Sequence, residues 1–288
     1  MKSTAKAFAI FVGIIMVLSA FASFVMMGGN QNENVVVPSG SDSLQTFGVQ
    51  GRLVEWDFEG LQDVLQMSPE STVMAYWINL GASQNLTDAA TAALPQSLGL
   101  SYAGQIYSTK IEKLAHVNFN GTWAEFHEIQ PYFIGYNGLV IPYQDYMMIP
   151  VGTDYAVVYG KPSLFGTQDS VRPVIDVIAG GLSAESFTLI DDGQADLQVA
   201  ALGSGGMGMP LSGGYKEFYL GVNATKSQDQ GFSLKARYLQ PQASVGSKAG
   251  EIAAKNNLSY STKGSEIEIS GLVARENLQN VLMALLGP

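Results

Sequence analysis

The feature that most constrains this chain is an uncharged apolar run near its N-terminus, residues 7–27, which follows Lys2 and Lys6. A helix of about 20 apolar residues crosses the hydrocarbon core of a bilayer. Lysines that precede such a helix stay on the cytoplasmic side. We therefore expect a single-pass anchor in the cell membrane, with the rest of the chain outside the cytoplasm. The Ala-Phe-Ala sequence at residues 20–22 is typical of a signal-peptidase site, so a cleaved signal peptide is the alternative.

The composition after this run limits how the chain can be stabilised. Residues 28–43 are rich in Gly, Asn and Ser and predict a flexible tether. The roughly 245 residues that follow are enough for one large domain or two smaller ones, and we divide them into residues 44–163 and 164–288. The chain has no cysteine, which excludes disulfides, thiol catalysis and cysteine metal sites. Stability must therefore come from buried apolar surface and backbone hydrogen bonds.

Charge is distributed unequally along the chain. Residues 28–160 carry thirteen acidic and three basic side chains, whereas residues 161–288 carry twelve acidic and ten basic side chains. A surface as negative as that of the first part repels nucleic acid and anionic lipid. We therefore expect no nucleic-acid partner. The acidity has two alternative explanations. One is ordinary solubility of the protein, and the other is an acidic face that binds cations or a basic partner.

Hydrophobic periodicity predicts strands in pairs with helices between them. The predicted strands are residues 73–80, 113–119, 197–202, 215–222, 232–238, 258–262 and 266–270. The predicted helices cover residues 58–65, 88–94, 171–178, 246–256 and 278–285. This pattern favours an α+β fold, an antiparallel sheet with helices packed on one face.

A five-residue sequence occurs twice in the chain in similar form. Thr-Phe-Gly-Val-Gln at residues 46–50 resembles Leu-Phe-Gly-Thr-Gln at residues 164–168, and a helix and then a strand are predicted after each. A degenerate internal duplication is one explanation, and a chance echo of five residues is the other.

The second half carries a resemblance to a known group of proteins. Residues 164–171, a helix that ends at Gly180-Gly181, a strand from Leu197, and a strand–helix–hairpin–helix order over residues 232–286 resemble a widespread family of uncharacterised exported proteins. The resemblance implies one N-terminal membrane anchor and a duplicated α+β ectodomain of unknown function. It implies no assigned catalysis.

Three motifs resemble ligand sites, and each lacks part of what such a site needs. Residues 203–208 match G-x-G-x-x-G, but no helix can begin in residues 209–214, so we interpret them as a flexible loop. Residues 191–196 contain three aspartates, but their spacing does not match a calcium loop.

The third motif surrounds the only two histidines, His116 and His127. Without cysteine, a zinc site here would need carboxylates such as Glu125 or Glu128. Glu125 and His127 would share one face of a strand, which is too few ligands, so we interpret both histidines as surface or hydrogen-bonded residues. We predict no metal and no cofactor.

Residues 123–159 are the best candidate for recognition. They contain nine aromatic and four acidic residues and no basic one. Aromatic side chains with polar neighbours can stack on sugar rings or fill a groove of a partner. The alternative is a β-rich core, because Tyr and Phe favour strands. The predicted recognition residues are Tyr132, Tyr136, Tyr143 and Tyr146.

Four acceptor sequences for N-glycosylation lie near the ends of predicted elements, where a transferase can reach them. We expect some of them to be occupied in a host that glycosylates its envelope. The acceptors are Asn85, Asn120, Asn223 and Asn257.

These features favour a membrane-anchored extracytoplasmic protein that binds a protein partner or a cell-envelope component, or has a structural role, without an evident catalytic site. One alternative is an exported hydrolase that acts on envelope glycans through a carboxylate pair, Glu125 with Glu128 or Asp145 with Asp154. Another is an accessory subunit of a larger membrane complex that docks through its acidic half.

Overall fold

The computed structural model describes residues 34–36, 51–107, 109–135, 140–190, 194–204, 210–225 and 231–287. The predicted anchor, most of the predicted tether and the first copy of the repeated sequence lie outside these ranges. Within them, none of the helices reaches the length and hydropathy that crossing a membrane requires.

Sixteen strands and six α-helices occur in the described residues. The strands are β1 Asn34–Val36, β2 Val54–Glu55, β3 Thr72–Asn79, β4 Lys110–Phe119, β5 Thr122–Gln130, β6 Phe133–Gly135, β7 Ile141–Tyr143, β8 Tyr146–Val151, β9 Tyr155–Val158, β10 Gly160–Lys161, β11 Ser163–Thr167, β12 Leu197–Leu202, β13 Glu217–Ala224, β14 Phe232–Leu239, β15 Ser259–Lys263 and β16 Glu266–Val273. The helices are α1 Leu61–Gln66, α2 Gln84–Ala93, α3 Leu98–Ile106, α4 Gln168–Ile178, α5 Ala243–Lys255 and α6 Leu278–Leu286.

Twelve strands form one sheet in the order β15-β16-β14-β13-β12-β3-β4-β5-β11-β9-β8-β7. All neighbours in it are antiparallel, and at its centre β3 pairs with β12, with Tyr76 opposite Val199. The sheet thus combines strands of residues 44–163 with strands of residues 164–288. The boundary between these two parts stays a prediction.

Helices cover both faces of the first-half strands. On β3, Met74 and Tyr76 face a core that includes α2, α3, α5 and α6, whereas Ala75 and Trp77 face a second core that includes α1 and α4. The α+β class is confirmed, but the prediction of helices on one face is wrong for this part of the sheet. The reason is that strands such as β3 are apolar on both faces, so each face needs a cover. The prediction of helices on one face is correct for β13, β14 and β16, whose buried aliphatic residues belong to the first core alone.

Most predicted elements occur with nearly the predicted bounds. The predictions for β3, β12 and β14 agree within one residue. Helix α4 begins after Thr167, whose hydroxyl accepts the Ser170 N–H at 3.1 Å, and it ends before Gly180, which has a φ of 116°. Helix α2 begins at Gln84, one turn before the predicted start.

Helix α3, by contrast, is absent from the sequence-based prediction. Its sequence, Leu-Gly-Leu-Ser-Tyr-Ala-Gly-Gln-Ile, contains two glycines, which disfavour a helix by about 1 kcal/mol each. Ser97 caps its first turn by accepting the Leu100 N–H at 3.1 Å. The contacts that hold this helix on the sheet come from distant residues of β4 and β5.

Candidate functional site

Both histidines of the chain meet at one carboxylate. The register of β4 and β5 places His116 opposite Glu125, and His127 lies two residues further along the same face of β5. The Glu125 Oε1 atom is 3.3 Å from His116 Nδ1, and Oε2 is 3.1 Å from His127 Nε2. Glu125 and His127 have no exposed surface, and His116 is 5% exposed. The three side chains therefore form a buried cluster, which we call the Glu125 cluster.

The same carboxylate holds the N-terminus of α3. Glu125 Oε2 accepts the Ser97 hydroxyl at 3.0 Å and the Gly99 N–H at 2.8 Å, and Oε1 accepts the Leu98 N–H at 3.0 Å. These groups are among those that a helix N-terminus leaves without intrahelical partners, and a negative charge is favourable there. Gly99 is needed for this approach, because a Cβ at that position would collide with His127 and Glu125.

Aromatic rings enclose the two imidazoles. The His116 ring lies between Tyr76, 5.3 Å away and tilted by 5°, and Trp123, 5.7 Å away and tilted by 12°. Tyr107 Oη is 2.9 Å from His127 Nδ1. His127 therefore contacts a carboxylate through Nε2 and a hydroxyl group through Nδ1.

Burial and hydrogen bonding act in opposite directions on Glu125. Burial by itself raises the pKa of this carboxyl, but the hydrogen bonds from His116 and His127 and their charge lower it to about 2. Burial raises the pKa of Tyr107 well above its ordinary value. Glu125 is therefore ionised and Tyr107 is protonated over the physiological pH range.

The geometry of the Glu125 cluster suits a structural role. Five donors occupy the carboxylate, and a general acid or base needs room for the proton that it transfers. Among the described residues, no three His, Asp or Glu side chains are grouped so as to hold a metal ion. The cluster joins α3 to β4 and β5 and leaves no carboxylate surface for a substrate.

The predicted carboxylate pairs are not assembled into a hydrolytic site. Glu128 lies on the face of β5 opposite Glu125 and pairs with Lys113 at 3.3 Å. Asp145 precedes β8 and Asp154 follows it, so six strand residues, about 20 Å, separate the turns that carry them. A glycosidase needs its two carboxyl groups about 5–10 Å apart.

The predicted recognition tyrosines have different environments. Tyr132 is half-buried beneath the Lys161 ammonium, which lies 5.4 Å from its ring centre, and burial raises its pKa. Tyr143 is half-buried and donates a hydrogen bond of 2.8 Å to Asp176, which raises its pKa. Tyr136 lies outside the described residues.

The expectation for Tyr146 needs correction. This residue is 2% exposed and belongs to the core between the sheet and helices α1 and α4. A ring in this position is not available to a partner. For Tyr146 the core alternative is the correct one, and the reason is that β8 directs it inwards.

The four glycosylation acceptors also differ in accessibility. Asn120 and Asn257 are exposed in turns, with φ values of 48° and 54°. Asn85 and Asn223 are half-buried, and Asn223 Oδ1 accepts the Asp196 N–H at 3.2 Å. Occupancy stays a prediction, and exposure favours the first two acceptors.

The other two motifs lie partly outside the described residues. Of the predicted glycine loop, the structure describes residues 203–204 and 210–214, and the latter include a short 3-10 helix, Pro210–Ser212. Of the aspartate-rich residues 191–196, it describes 194–196, where Asp196 accepts the Ala224 N–H at 2.9 Å.

Comparisons with known proteins do not identify a family. No protein-family model matches the chain, and no curated protein matches it. Among solved structures, the chain is similar to crystal form I of TP0453, at 9% identity and a TM-score of 0.47, over 77% of this chain and 97% of that chain. For crystal form III of TP0453 the identity is 8% and the TM-score 0.45, over 77% and 98% of the two chains. A likeness this weak carries no inference about function.

Proposed function

We propose that this chain is a membrane-anchored extracytoplasmic protein that binds a protein partner or a component of the cell envelope and catalyses no reaction. The observation that supports it most is the saturation of Glu125 by five donors in a site without exposed carboxylate surface. A group enclosed in this way stabilises a scaffold, because it cannot reach a substrate. Two observations speak against the hydrolase alternative: Glu128 lies on the face of β5 opposite Glu125, and a six-residue strand separates Asp145 from Asp154.

The proposal includes the anchor at residues 7–27 and the extracytoplasmic location, both of which rest on the sequence. It also includes the degenerate duplication. Support for the duplication comes from the sheet order, in which β3-β4-β5 and β12-β13-β14 run outwards from the central β3–β12 pair. Each triplet follows a helix, α1 or α4, as two related halves would.

The recognition surface belongs to the aromatic segment of the first half. Tyr132 and Tyr143 are its half-buried described members, and each has a cation over the ring, Lys161 at 5.4 Å and Arg172 at 5.5 Å. Rings held by such neighbours lose little freedom when a partner binds, so they are efficient contact residues.

Membrane fractionation followed by affinity purification tests this function. The full chain, tagged at its C-terminus, is expected in the membrane pellet after alkaline carbonate washing. After detergent extraction, we expect it to recover a partner or an envelope component, with about tenfold lower recovery for Tyr132→Ala and Tyr143→Ala. Tyr260→Ala is the matched control, because Tyr260 is 42% exposed and lies in the second half.

The outcomes separate the alternatives. A soluble form that begins at Ser23 would overturn the anchor. Equal recovery by the Tyr132, Tyr143 and Tyr260 variants would overturn the recognition surface. A fixed set of subunits at equal stoichiometry would identify an accessory subunit of a complex, and turnover of an envelope glycan by the purified chain would identify a hydrolase.

A further inference from the structure

A cavity lies on the face of β13 and β14 that points away from α5 and α6. The helices on this face, α1 and α4, belong to the core formed with β3, β4, β5, β8, β9 and β11. The cavity has a volume of about 240 Å³; β13 forms its floor, β14 one wall, and Ala195 part of the other. Its principal lining residues are Ala195, Tyr219, Gly221, Asn223, Ser233 and Lys235.

A glycine, Gly221, is among the residues that line the cavity. A Cβ at Gly221 would stand 3.1 Å from Tyr219 Oη, 3.5 Å from the Tyr219 ring and 3.5 Å from the Ala195 Cβ, so it would crowd two lining residues and narrow the cavity. Glycine inside a strand weakens the sheet, and it often marks a place where a ligand approaches the backbone closely. Gly221 is the fifth of the eight residues of β13 that pair with β14, far from any turn that would require glycine.

The polar groups around the cavity suit a ligand with several oxygen atoms. Asn223, which lines the cavity, uses its Oδ1 to accept the Asp196 N–H at 3.2 Å, which leaves its amide NH₂ as a donor. Ser233 is exposed at the opposite wall. Lys235 adds a cation, which the carboxylate of Glu268, 4.0 Å away, compensates.

Charge and size narrow the class of ligand. The compensated Lys235 and the overall charge of −10 disfavour an anion. The volume of about 240 Å³ is below the ~300–1,000 Å³ of sites for drug-sized ligands, so it admits about one ring. We propose that the Gly221 cavity binds a single neutral sugar ring, either a free monosaccharide or the terminal residue of a glycan. This inference rests on the proposed binding function and names its ligand class.

Titration calorimetry with the full chain tests the inference. The chain is produced in a host that does not glycosylate, because a glycan on Asn223 would occupy the cavity, and it is kept in a detergent without a sugar headgroup. Glucose, galactose, mannose and N-acetylglucosamine are titrated individually, followed by oligosaccharides that end in the best of them. We expect one monosaccharide to bind at one site. If an oligosaccharide that ends in this sugar binds with equal or higher affinity, the natural ligand is the terminal residue of a glycan.

Variants of the cavity separate this site from other surfaces. Gly221→Ala narrows the cavity beside Tyr219 and Ala195, and Asn223→Ala removes the amide donor, so each should weaken sugar binding at least tenfold. Ser270 lies on the neighbouring strand β16, so Ser270→Ala is the control and should bind the sugar as tightly as the parent protein does. Thermal unfolding of each variant verifies that the fold is retained.

Two results would overturn the inference. One is the absence of heat with all four sugars at concentrations up to about 10 mM, which corresponds to a binding free energy weaker than roughly −3 kcal/mol. The other is sugar binding that Gly221→Ala and Asn223→Ala leave unchanged. Either result leaves the pull-down of a protein partner unaffected, so failure of this inference is distinguishable from failure of the proposed function.

Discussion

Glu125 and His116 face each other across neighbouring antiparallel strands, with 3.3 Å between Oε1 and Nδ1, and this contact begins the network that fixes helix α3 to the sheet. Through Glu125 the network continues to Ser97, Leu98 and Gly99 at the start of that helix. The rest of α3 is held by apolar contacts, among them the buried Ile106 and the Tyr102 ring, whose centre is 5.5 Å from that of Tyr155. The attachment of the first turn of α3 to the sheet therefore depends on one carboxylate.

We expect Glu125→Gln to lower the free energy of unfolding by about 3 kcal/mol. The amide has nearly the same size, but it lacks the charge and turns an NH₂ group towards donors that need an acceptor. Urea denaturation of the full chain in detergent, followed by tryptophan fluorescence, measures the loss. Glu128→Gln is the matched control, since this half-exposed partner of Lys113 should contribute at most about 1 kcal/mol. Equal losses in the two variants would contradict the role of Glu125.

The pKa of Glu125 predicts how stability changes in acid. Burial raises this pKa, and the hydrogen bonds and charge of His116 and His127 lower it from 4.5 to about 2 in the folded protein. The unfolded chain therefore binds more protons between these values, and the contribution of Glu125, about 3 kcal/mol, is complete above pH 4.5 and is lost as the pH falls towards 2.

Urea midpoints at several pH values between about 6 and 2 test this expectation. The parent should lose more stability over this range than Glu125→Gln, which has no carboxylate to protonate at this position. Glu128→Gln should follow the parent. A slope in Glu125→Gln as steep as that of the parent would show that other carboxyl groups cause the acid sensitivity.

Two glycines of α3 offer a matched comparison. Gly99→Ala places a Cβ against His127 and Glu125, so we expect a loss of about 2 kcal/mol. Gly104→Ala meets nothing within 4 Å and should stabilise the helix by about 0.5–1 kcal/mol. Chemical denaturation of both variants measures the difference, and a Gly99→Ala protein as stable as the parent would contradict the close packing.

Accessibility predicts which acceptors carry glycans. In a host that glycosylates envelope proteins, Asn120→Gln and Asn257→Gln should each remove the mass of one glycan, because both acceptors are exposed in turns. Asn223→Gln should leave the mass of the glycans unchanged, since Asn223 is half-buried within β13. Intact-mass spectrometry of the native protein and the three variants decides. A glycan on Asn223 would contradict this expectation.

Much of the fold follows from local pattern. The alternation of apolar and polar residues predicts β14, and the capping residue and terminal glycines predict α4, because both signals act over a few neighbouring residues. Helix α3 escapes prediction because its two glycines weaken the local signal, and its stabilising carboxylate is 26 residues away from Gly99. The sequence does not predict that helices cover both faces of the sheet, because the topology of the whole chain determines which helices pack on each face.

The turn between β4 and β5 sets the register that brings His116, Glu125 and His127 together. Asn120 and Gly121 have φ values of 48° and 74°, the two-residue turn that an Asn-Gly sequence favours, and this turn pairs Phe119 with Thr122. Counting back along both strands places His116 opposite Glu125, and the two-residue period of a strand places His127 beside it. The sequence by itself therefore determines that these three side chains share one face.

Only the tertiary structure decides the role of the strand face that these three side chains share. Ser97, Tyr76 and Tyr107 reach the cluster from α3, from β3 and from the end of α3, and no local pattern relates them to Glu125. Two histidines and a carboxylate could have bound a metal or a substrate. Because Ser97, Tyr76 and Tyr107 contact them, the cluster is enclosed and the carboxylate has no free hydrogen-bonding position. Short-range turn geometry sets the register, whereas burial and hydrogen-bond saturation depend on segments that only the packing of helices on the sheet brings together.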